Sequence, residues 1–141
     1  MKIKVIALDI YGTVLCSDDP ENAMPPRRGF AEFVRRAKEA GIKLVTSSDA
    51  NLDLLKLDLQ ETMRGRTPFG LEIFDGFYYL SMRPKKYWQI INDFKIKPEE
   101  LMIIGDNRIN DFGGAPNTIN CLVPKYDGVI DQFDFSEIAI V

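Results

Sequence analysis

Short apolar runs alternate with amphipathic stretches along the chain. Five runs rich in branched or aromatic side chains predict buried strands at Ile3–Leu8, Ile42–Thr46, Phe74–Leu80, Leu101–Ile104 and Asn120–Val123. Between them, apolar residues at helical spacing predict three helices. The first spans about Arg28–Ala40, the second runs from a cap at Ser48 or Asp49 to about Met63, and the third spans about Lys85–Phe94. Strands that alternate with helices indicate an α/β fold, a Rossmann-like three-layer sandwich with a central, mainly parallel five-stranded sheet.

The apolar face of each predicted helix identifies candidate core residues. These are Phe30, Phe33, Val34 and Ala37 in the first helix, Leu52, Leu55, Leu59 and Met63 in the second, and Trp88, Ile91 and Phe94 in the third. A short fourth helix is predicted to end near Gly113-Gly114. The sequence also predicts a polar loop at Cys16–Pro26. Arg27 and Arg28 are expected at the surface. The residue pattern of Phe133–Val141 predicts neither a helix nor a strand. Because the connections are short, residues 1–141 are predicted to form one core domain without a cap domain.

Composition narrows the chemistry that such a domain can perform. The 141 residues include no histidine, which excludes Ser-His-Asp triads, Cys-His pairs and histidine-bound metals. Cys16 and Cys121 lie far apart without metal-ligand spacing, so we expect reduced thiols in a cytoplasmic protein. The net charge of −3 does not indicate a nucleic-acid partner, and no apolar run approaches the length of a membrane span.

Polar side chains of the kinds that a phosphate or metal site needs follow most of the predicted strands. They are Asp9 after the first strand, Thr46 and Ser47 at the second, Arg83, Lys85 and Lys86 after the third, and Asp106 and Asp111 after the fourth. The carboxyl ends of parallel strands meet at one edge of a sheet, so we expect these groups to converge on one crevice. Carboxylates there can bind Mg²⁺ or attack a phosphorus centre, while hydroxyl and ammonium groups stabilise a transferring phosphoryl group.

In combination and order, these residues resemble the motifs of the haloacid dehalogenase superfamily over nearly the whole chain. Asp9-Ile10-Tyr11-Gly12-Thr13 resembles the first motif, Thr46 the second, Lys85 the third, and Gly105-Asp106 with Asp111 the fourth. The resemblance implies that Asp9 is the nucleophile and that Thr46 and Lys85 hold the transferred group. It also implies Mg²⁺ held by Asp9, Asp106 and the backbone carbonyl of Tyr11, with support from Asp111. Thr13, Ser47 and Lys86 complete the candidate substrate-binding residues; Ser47 could replace Thr46, and Lys86 or Arg83 could replace Lys85.

Tyr11 departs from the phosphatase pattern of that superfamily. Its phosphatases usually carry at this position an aspartate that protonates the leaving oxygen and then activates water. A tyrosine of ordinary pKa near ~10 is a poor base at neutral pH. The sequence Asp-x-Tyr-Gly-Thr instead resembles the 2-haloacid dehalogenases of the superfamily. Those enzymes carry a helical cap and typically lack the Gly-Asp found here at Gly105-Asp106.

Three functional hypotheses follow from these residues. The leading one is a Mg²⁺-dependent phosphatase that forms an aspartyl-phosphate at Asp9 on an unidentified phosphate ester. The second is a binding module with weak or no turnover, because Tyr11 replaces the acid/base aspartate. The third is hydrolytic dehalogenation of a 2-haloacid. By analogy with the superfamily, an uncapped crevice would admit a large substrate or be covered by a second copy of the chain in a homo-oligomer.

Overall fold

Five strands form one sheet in which all neighbouring strands run parallel. The computed structural model describes residues 2–16, 26–127 and 133–140. Its strands are β1 (Val5–Leu8), β2 (Lys43–Ser48), β3 (Gly76–Tyr79), β4 (Leu101–Gly105) and β5 (Ile119–Leu122). Their order is β3-β2-β1-β4-β5, so β1 is central and β3 and β5 are the edges. The predicted α/β class and five-stranded sheet are confirmed, and each predicted strand overlaps an observed one.

Helices cover both faces of this sheet and so produce three layers. Helices α1 (Phe30–Glu39) and α2 (Leu52–Met63) pack on one face, and α3 (Trp88–Phe94) packs on the other. Side chains of β1 alternate between the two faces: Ile6 and Leu8 join the core under α1 and α2, whereas Val5 and Ala7 join the core under α3. Both faces of the strand are therefore buried, which explains why its sequence is apolar throughout.

The start of α2 differs from its prediction. The capping residue is Asn51, whose side-chain oxygen accepts a hydrogen bond from the Leu54 amide at 3.1 Å. The predicted caps, Ser48 and Asp49, are engaged elsewhere. Ser48 still belongs to β2, and Asp49 forms an ion pair with Arg83 at 2.9 Å. The strand therefore extends two residues past its predicted end and displaces the helix start.

Two predictions of burial are wrong. Trp88, predicted in the core, is 64% exposed, because α3 begins at this residue and turns Ile90 toward the sheet instead. Arg27, predicted at the surface, is buried, and its guanidinium lies over the rings of Phe133 and Tyr126 at 4.6 and 5.5 Å from their centroids. Aromatic faces stabilise a cation there, which local sequence does not reveal.

The C-terminal segment, left unassigned by the sequence, packs against α1. Phe135 is fully buried edge-on to Phe30 and Phe33, at centroid distances of 5.4 and 4.9 Å. It lies in a single 3₁₀ turn, Phe135–Glu137. The short helix predicted near Gly113-Gly114 is a π-helical turn at Arg108–Phe112.

Three further sequence predictions concern the loop after β1, the cysteines and the membrane. Residues 17–25, most of the predicted loop Cys16–Pro26, lie outside the described residues. Cys16 and Cys121 are both free thiols. In the described part of the chain, no helix combines the length and the apolar character needed to cross a bilayer.

Candidate active site

The strand order places a crevice between β1 and β4. From β1 the chain continues to β2 and β3 on one side, and then returns to β4 on the other side of β1. Where the direction of progression reverses, the connections leave the sheet on opposite faces and open a crevice at the carboxyl ends of the strands. Asp9 directly follows β1 and Asp106 directly follows β4. The topology therefore brings these two predicted site residues together.

Three carboxylates meet in this crevice. Oxygens of Asp9, Asp106 and Asp111 all lie within 4.8 Å of one another. The Thr13 hydroxyl lies 3.0 Å from Asp9 Oδ2 and 3.4 Å from Asp106 Oδ1, so it can donate to either carboxylate. Hard oxygen donors at this spacing suit Mg²⁺, which prefers carboxylates and water. The residues present therefore fit the metal that the sequence predicts.

Lys85 is the cation at the centre of this cluster. Its side chain is 1% exposed, and Nζ donates to Asp9 Oδ1 at 2.9 Å and to Asp111 Oδ1 at 2.7 Å. The second oxygen of Asp111 accepts from the Asn107 amide at 3.0 Å. With both oxygens engaged by the protein, Asp111 is placed to hold Lys85 and the loop after β4. Of the three cations considered from the sequence, Arg83 instead pairs with Asp49, outside the carboxylate cluster.

Ser47, rather than Thr46, shares a sheet face with Asp9. In the parallel register Leu8 is paired with Thr46, so the next pair along the strands is Asp9 with Ser47. The Thr46 hydroxyl accepts a hydrogen bond from the Tyr78 amide of β3 at 3.1 Å. The Ser47 hydroxyl is buried near the Tyr87 phenol, and it makes no hydrogen bond of ordinary geometry to the described residues. An unpaired buried hydroxyl is costly, and an oxygen of a bound phosphoryl group would pair it.

The Tyr11 side chain is hydrogen-bonded to α2. Its hydroxyl donates a short hydrogen bond to the carboxylate of Asp58, a residue that the sequence did not single out. Burial and the adjacent Asp58 carboxylate both raise the pKa of the Tyr11 phenol above its ordinary value. Tyr11 therefore stays protonated at neutral pH and cannot serve there as a general base. No local pattern indicates this contact, because it joins residues 47 positions apart.

The turn after β1 is fixed by backbone contacts and by a buried arginine. Gly12 adopts φ +86, and its carbonyl accepts from the Tyr126 amide at 2.7 Å. Arg27 donates to the Thr13 carbonyl at 3.3 Å. A Cβ added at Gly12 would lie 2.6 Å from Asp106 Oδ2. Both the conformation and the space at this position therefore require glycine.

We expect Gly12→Ala to weaken Mg²⁺ binding by roughly tenfold or more, because the new methyl group displaces the Asp106 carboxylate. Gly41→Ala is the matched control: Gly41 has a similar φ of +74, but nothing lies within 4 Å of its added Cβ. Both variants should lose about 1–2 kcal/mol of stability from backbone strain. Calorimetric titration with Mg²⁺ separates the two effects, and equal affinities in both variants would contradict the predicted clash.

Burial raises the pKa of Asp9 from 3.8 to about 7 in the metal-free protein, although Lys85 lowers it. Between about pH 4 and pH 7 the folded state therefore binds more protons at Asp9 than the unfolded chain does, so this residue makes stability fall as pH rises. We expect Asp9→Asn to gain stability over the wild type by up to about 1.4 kcal/mol per pH unit across that window. Urea unfolding of both proteins in EDTA measures the difference; a gap that stays constant with pH would refute this assignment.

No family model and no curated protein sequence matches the chain. Its fold is similar to several solved structures. One is the N-terminal part of BF1531 from Bacteroides fragilis, which contains a phosphatase domain and is complexed with Mg. It matches at TM-score 0.68 and 16% identity, over 90% of this chain and 38% of that one. The D,D-heptose 1,7-bisphosphate phosphatase from B. bronchiseptica, complexed with magnesium and phosphate, matches at TM-score 0.65 and 16% identity. The match covers 89% of this chain and 83% of that one.

Dehalogenases have the same fold. The L-2-haloacid dehalogenase from Xanthobacter autotrophicus matches at TM-score 0.65 and 12% identity over 86% of this chain and 77% of that one. Identities this low establish architecture and leave the reaction open. The chain therefore shares its fold with magnesium-bound phosphatases and with a haloacid dehalogenase, and its acidic cluster, which could hold a metal ion, lies at the crevice beside the central strand.

Proposed function

We propose that the protein is a Mg²⁺-dependent phosphatase in which Asp9 attacks a phosphate ester. The observation that carries this proposal is the gathering of Asp9, Asp106 and Asp111, whose oxygens lie within 4.8 Å of one another, with the buried Lys85 ammonium bound to two of them, Asp9 and Asp111. Two of these carboxylates, Asp9 and Asp111, are buried, and like charges this close together are unfavourable in such a site. A divalent cation would balance them, and two phosphatases of the same fold were crystallised with magnesium.

Each side chain has a role that follows from its contacts. Asp9 and Asp106, with the Tyr11 carbonyl, would hold Mg²⁺, which when bound offsets negative charge on the phosphoryl oxygens. One oxygen of Asp9 forms a bond to phosphorus as the bond to the ester oxygen breaks, and the released alkoxide takes a proton from water. Lys85 and Ser47 donate to the phosphoryl oxygens, while Asp111 holds Lys85 in place. Water then hydrolyses the aspartyl-phosphate.

The test is phosphate release from an aryl phosphate ester, measured with Mg²⁺ and with EDTA. We expect turnover only with Mg²⁺ and its loss in Asp9→Asn. Asp53→Asn, the same chemical change at an exposed position of α2, serves as the control and should retain activity. Mass spectrometry of acid-quenched protein should find a phosphoryl group on Asp9. Absence of both turnover and Asp9 phosphorylation in the presence of Mg²⁺ would refute the proposal.

A second function is favoured by the hydrogen bond between Tyr11 and Asp58. Because the Tyr11 phenol is held toward α2 and stays protonated, the residue does not supply the base that activates water in the second reaction step. The chain would then bind phosphate esters and turn them over slowly or not at all. Tight binding of a phosphate ester to wild-type protein, with no product after prolonged incubation, would favour this function over a working phosphatase.

Dehalogenation remains a third proposal, carried by the sequence Asp9-Ile10-Tyr11-Gly12-Thr13 and by the similar fold of a haloacid dehalogenase. The acidic cluster argues against it, since a haloacid carboxylate would enter a crevice where oxygens of three carboxylates already lie within 4.8 Å of one another. Halide release from a 2-haloacid in EDTA, abolished in Asp9→Asn, would establish this reaction instead.

A further inference from the structure

Three of the large apolar side chains that stand exposed in the described residues line one small pocket. They are Tyr79, Met82 and Trp88, which are 54%, 56% and 64% exposed. Ser81, Lys86 and Gln89 also line the pocket, whose volume is about 140 Å³. Single exposed apolar residues are ordinary, but their convergence on one concave site is typical of ligand binding. We refer to this site as the ring pocket.

The ring pocket lies at the same edge of the sheet as the carboxylate cluster. Tyr79 is the last residue of β3, and it is paired with Ser48 at the end of β2. Strands are about 4.8 Å apart, so the end of β3 lies roughly 10 Å from the end of β1 that carries Asp9. Lys86 lines the pocket, whereas its neighbour Lys85 contacts Asp9. One phosphate ester with a sugar-sized spacer can therefore reach both sites.

The size and lining of the ring pocket indicate what it holds. A cavity of about 150 Å³ accepts benzene, so a pocket of about 140 Å³ suits a single six-membered ring. Trp88 and Tyr79 offer aromatic faces, on which planar rings stack favourably. The Lys86 ammonium is a hydrogen-bond donor only, whereas Ser81 and Gln89 can both donate and accept. The Lys86 ammonium therefore favours a ring that carries carbonyl oxygens.

We propose that the ring pocket binds a single aromatic ring with carbonyl substituents, carried by the leaving group of the ester that Asp9 attacks. A pyrimidine nucleoside 5′-monophosphate has this chemistry, with the sugar between phosphate and ring. This inference rests on the proposed phosphatase function, because it places the phosphate at Asp9. It names the substrate class for which the ring pocket selects.

Trp88 is the single tryptophan of the chain, so its fluorescence reports directly on the ring pocket. The binding experiment uses Asp9→Asn with Mg²⁺, so that no ester is consumed. We expect uridine 5′-monophosphate to change Trp88 emission saturably, and ribose 5-phosphate, which lacks the ring, to leave it unchanged. Tyr79→Ala, which keeps the fluorophore, should weaken uridine monophosphate binding.

The kinetic experiment compares wild type with Trp88→Ala. Loss of one stacking partner should raise KM for uridine monophosphate by roughly 5- to 150-fold, with little change in kcat. KM for ribose 5-phosphate should stay the same. Leu57→Ala, which removes an equally exposed apolar side chain on α2 outside the pocket, is the control and should leave both substrates unaffected.

The outcomes separate the two proposals. Mg²⁺-dependent turnover with no Trp88 response and unchanged KM in Trp88→Ala would overturn the ring pocket and leave the phosphatase standing. A saturable Trp88 response without turnover of any ester would support ring binding and overturn the phosphatase. Trp88 emission that changes with protein concentration alone would assign this surface to contact between two copies of the chain and overturn the ring pocket.

Discussion

Tyr11→Asp is expected to raise phosphate-ester turnover by roughly 10²–10⁴-fold, the usual contribution of a positioned acid and base. In the wild type the Tyr11 phenol is hydrogen-bonded to Asp58 and stays protonated, so no group two residues after Asp9 activates water. Hydrolysis of the aspartyl-phosphate should then be the slow step. Steady-state rates with an aryl phosphate, measured under saturating Mg²⁺, give the comparison.

A control variant and a second measurement show whether the new carboxylate is the cause. Tyr11→Asn has the same size and the same loss of the Asp58 contact but no acid or base, so it should not gain activity. Pre-steady-state measurements should show a burst of about one product per chain in the wild type and a smaller burst in Tyr11→Asp. If Tyr11→Asp and Tyr11→Asn have equal rates, the identity of residue 11 does not limit turnover.

Lys85→Met is expected to lower the free energy of unfolding by about 3–5 kcal/mol in metal-free protein, the usual effect of removing one partner of a buried ion pair. The Lys85 ammonium is 1% exposed and contacts both Asp9 and Asp111, so methionine leaves two buried carboxylates without their cation. Denaturant unfolding in EDTA measures the loss. Addition of Mg²⁺ should restore part of it, because the cation binds only the folded cluster.

Neighbouring substitutions make this prediction specific. Lys86→Met is the matched control, since Lys86 lines the ring pocket instead of the carboxylate cluster, and it should change stability little. Combining Lys85→Met with Asp9→Asn should recover stability, because one of the stranded carboxylates becomes neutral. A double variant whose stability change equals the sum of the two single changes would show that Lys85 stabilises the fold by packing and not by pairing with Asp9.

Much of the site could be predicted because it depends on chain order. Asp9 and Asp106 each follow an apolar run, and parallel strands place all such ends at one edge. Lys85 and Asp111 were named from their motif positions, and the structure brings both into contact beside Asp9. The spacing of apolar residues was likewise enough to predict the five-stranded sheet, since strands and helices alternate at clear intervals along the chain.

The details that the sequence left open or misplaced depend on contacts between distant segments. The face on which Ser47 lies is set by the register of β2 against β1, which a one-residue shift reverses. Burial of Arg27 needs the rings of Tyr126 and Phe133 from the far end of the chain. Trp88 was assigned to the core because it lies at helical spacing from Ile91 and Phe94, whereas the residue that the helix buries is Ile90. None of these can be read from local composition.

The central position of β1 has a dynamic consequence. Hydrogen bonds hold β1 on both sides, whereas β3 is held on one side only. Exposure of the β1 amides to hydrogen exchange therefore requires nearly global unfolding, while β3 can open locally at a smaller free-energy cost. The Asp9 carboxylate is thus anchored to the most rigid strand, and the surface carrying Tyr79 to a looser one. Substitutions at that edge can alter ligand preference over evolution while the geometry around Asp9 persists.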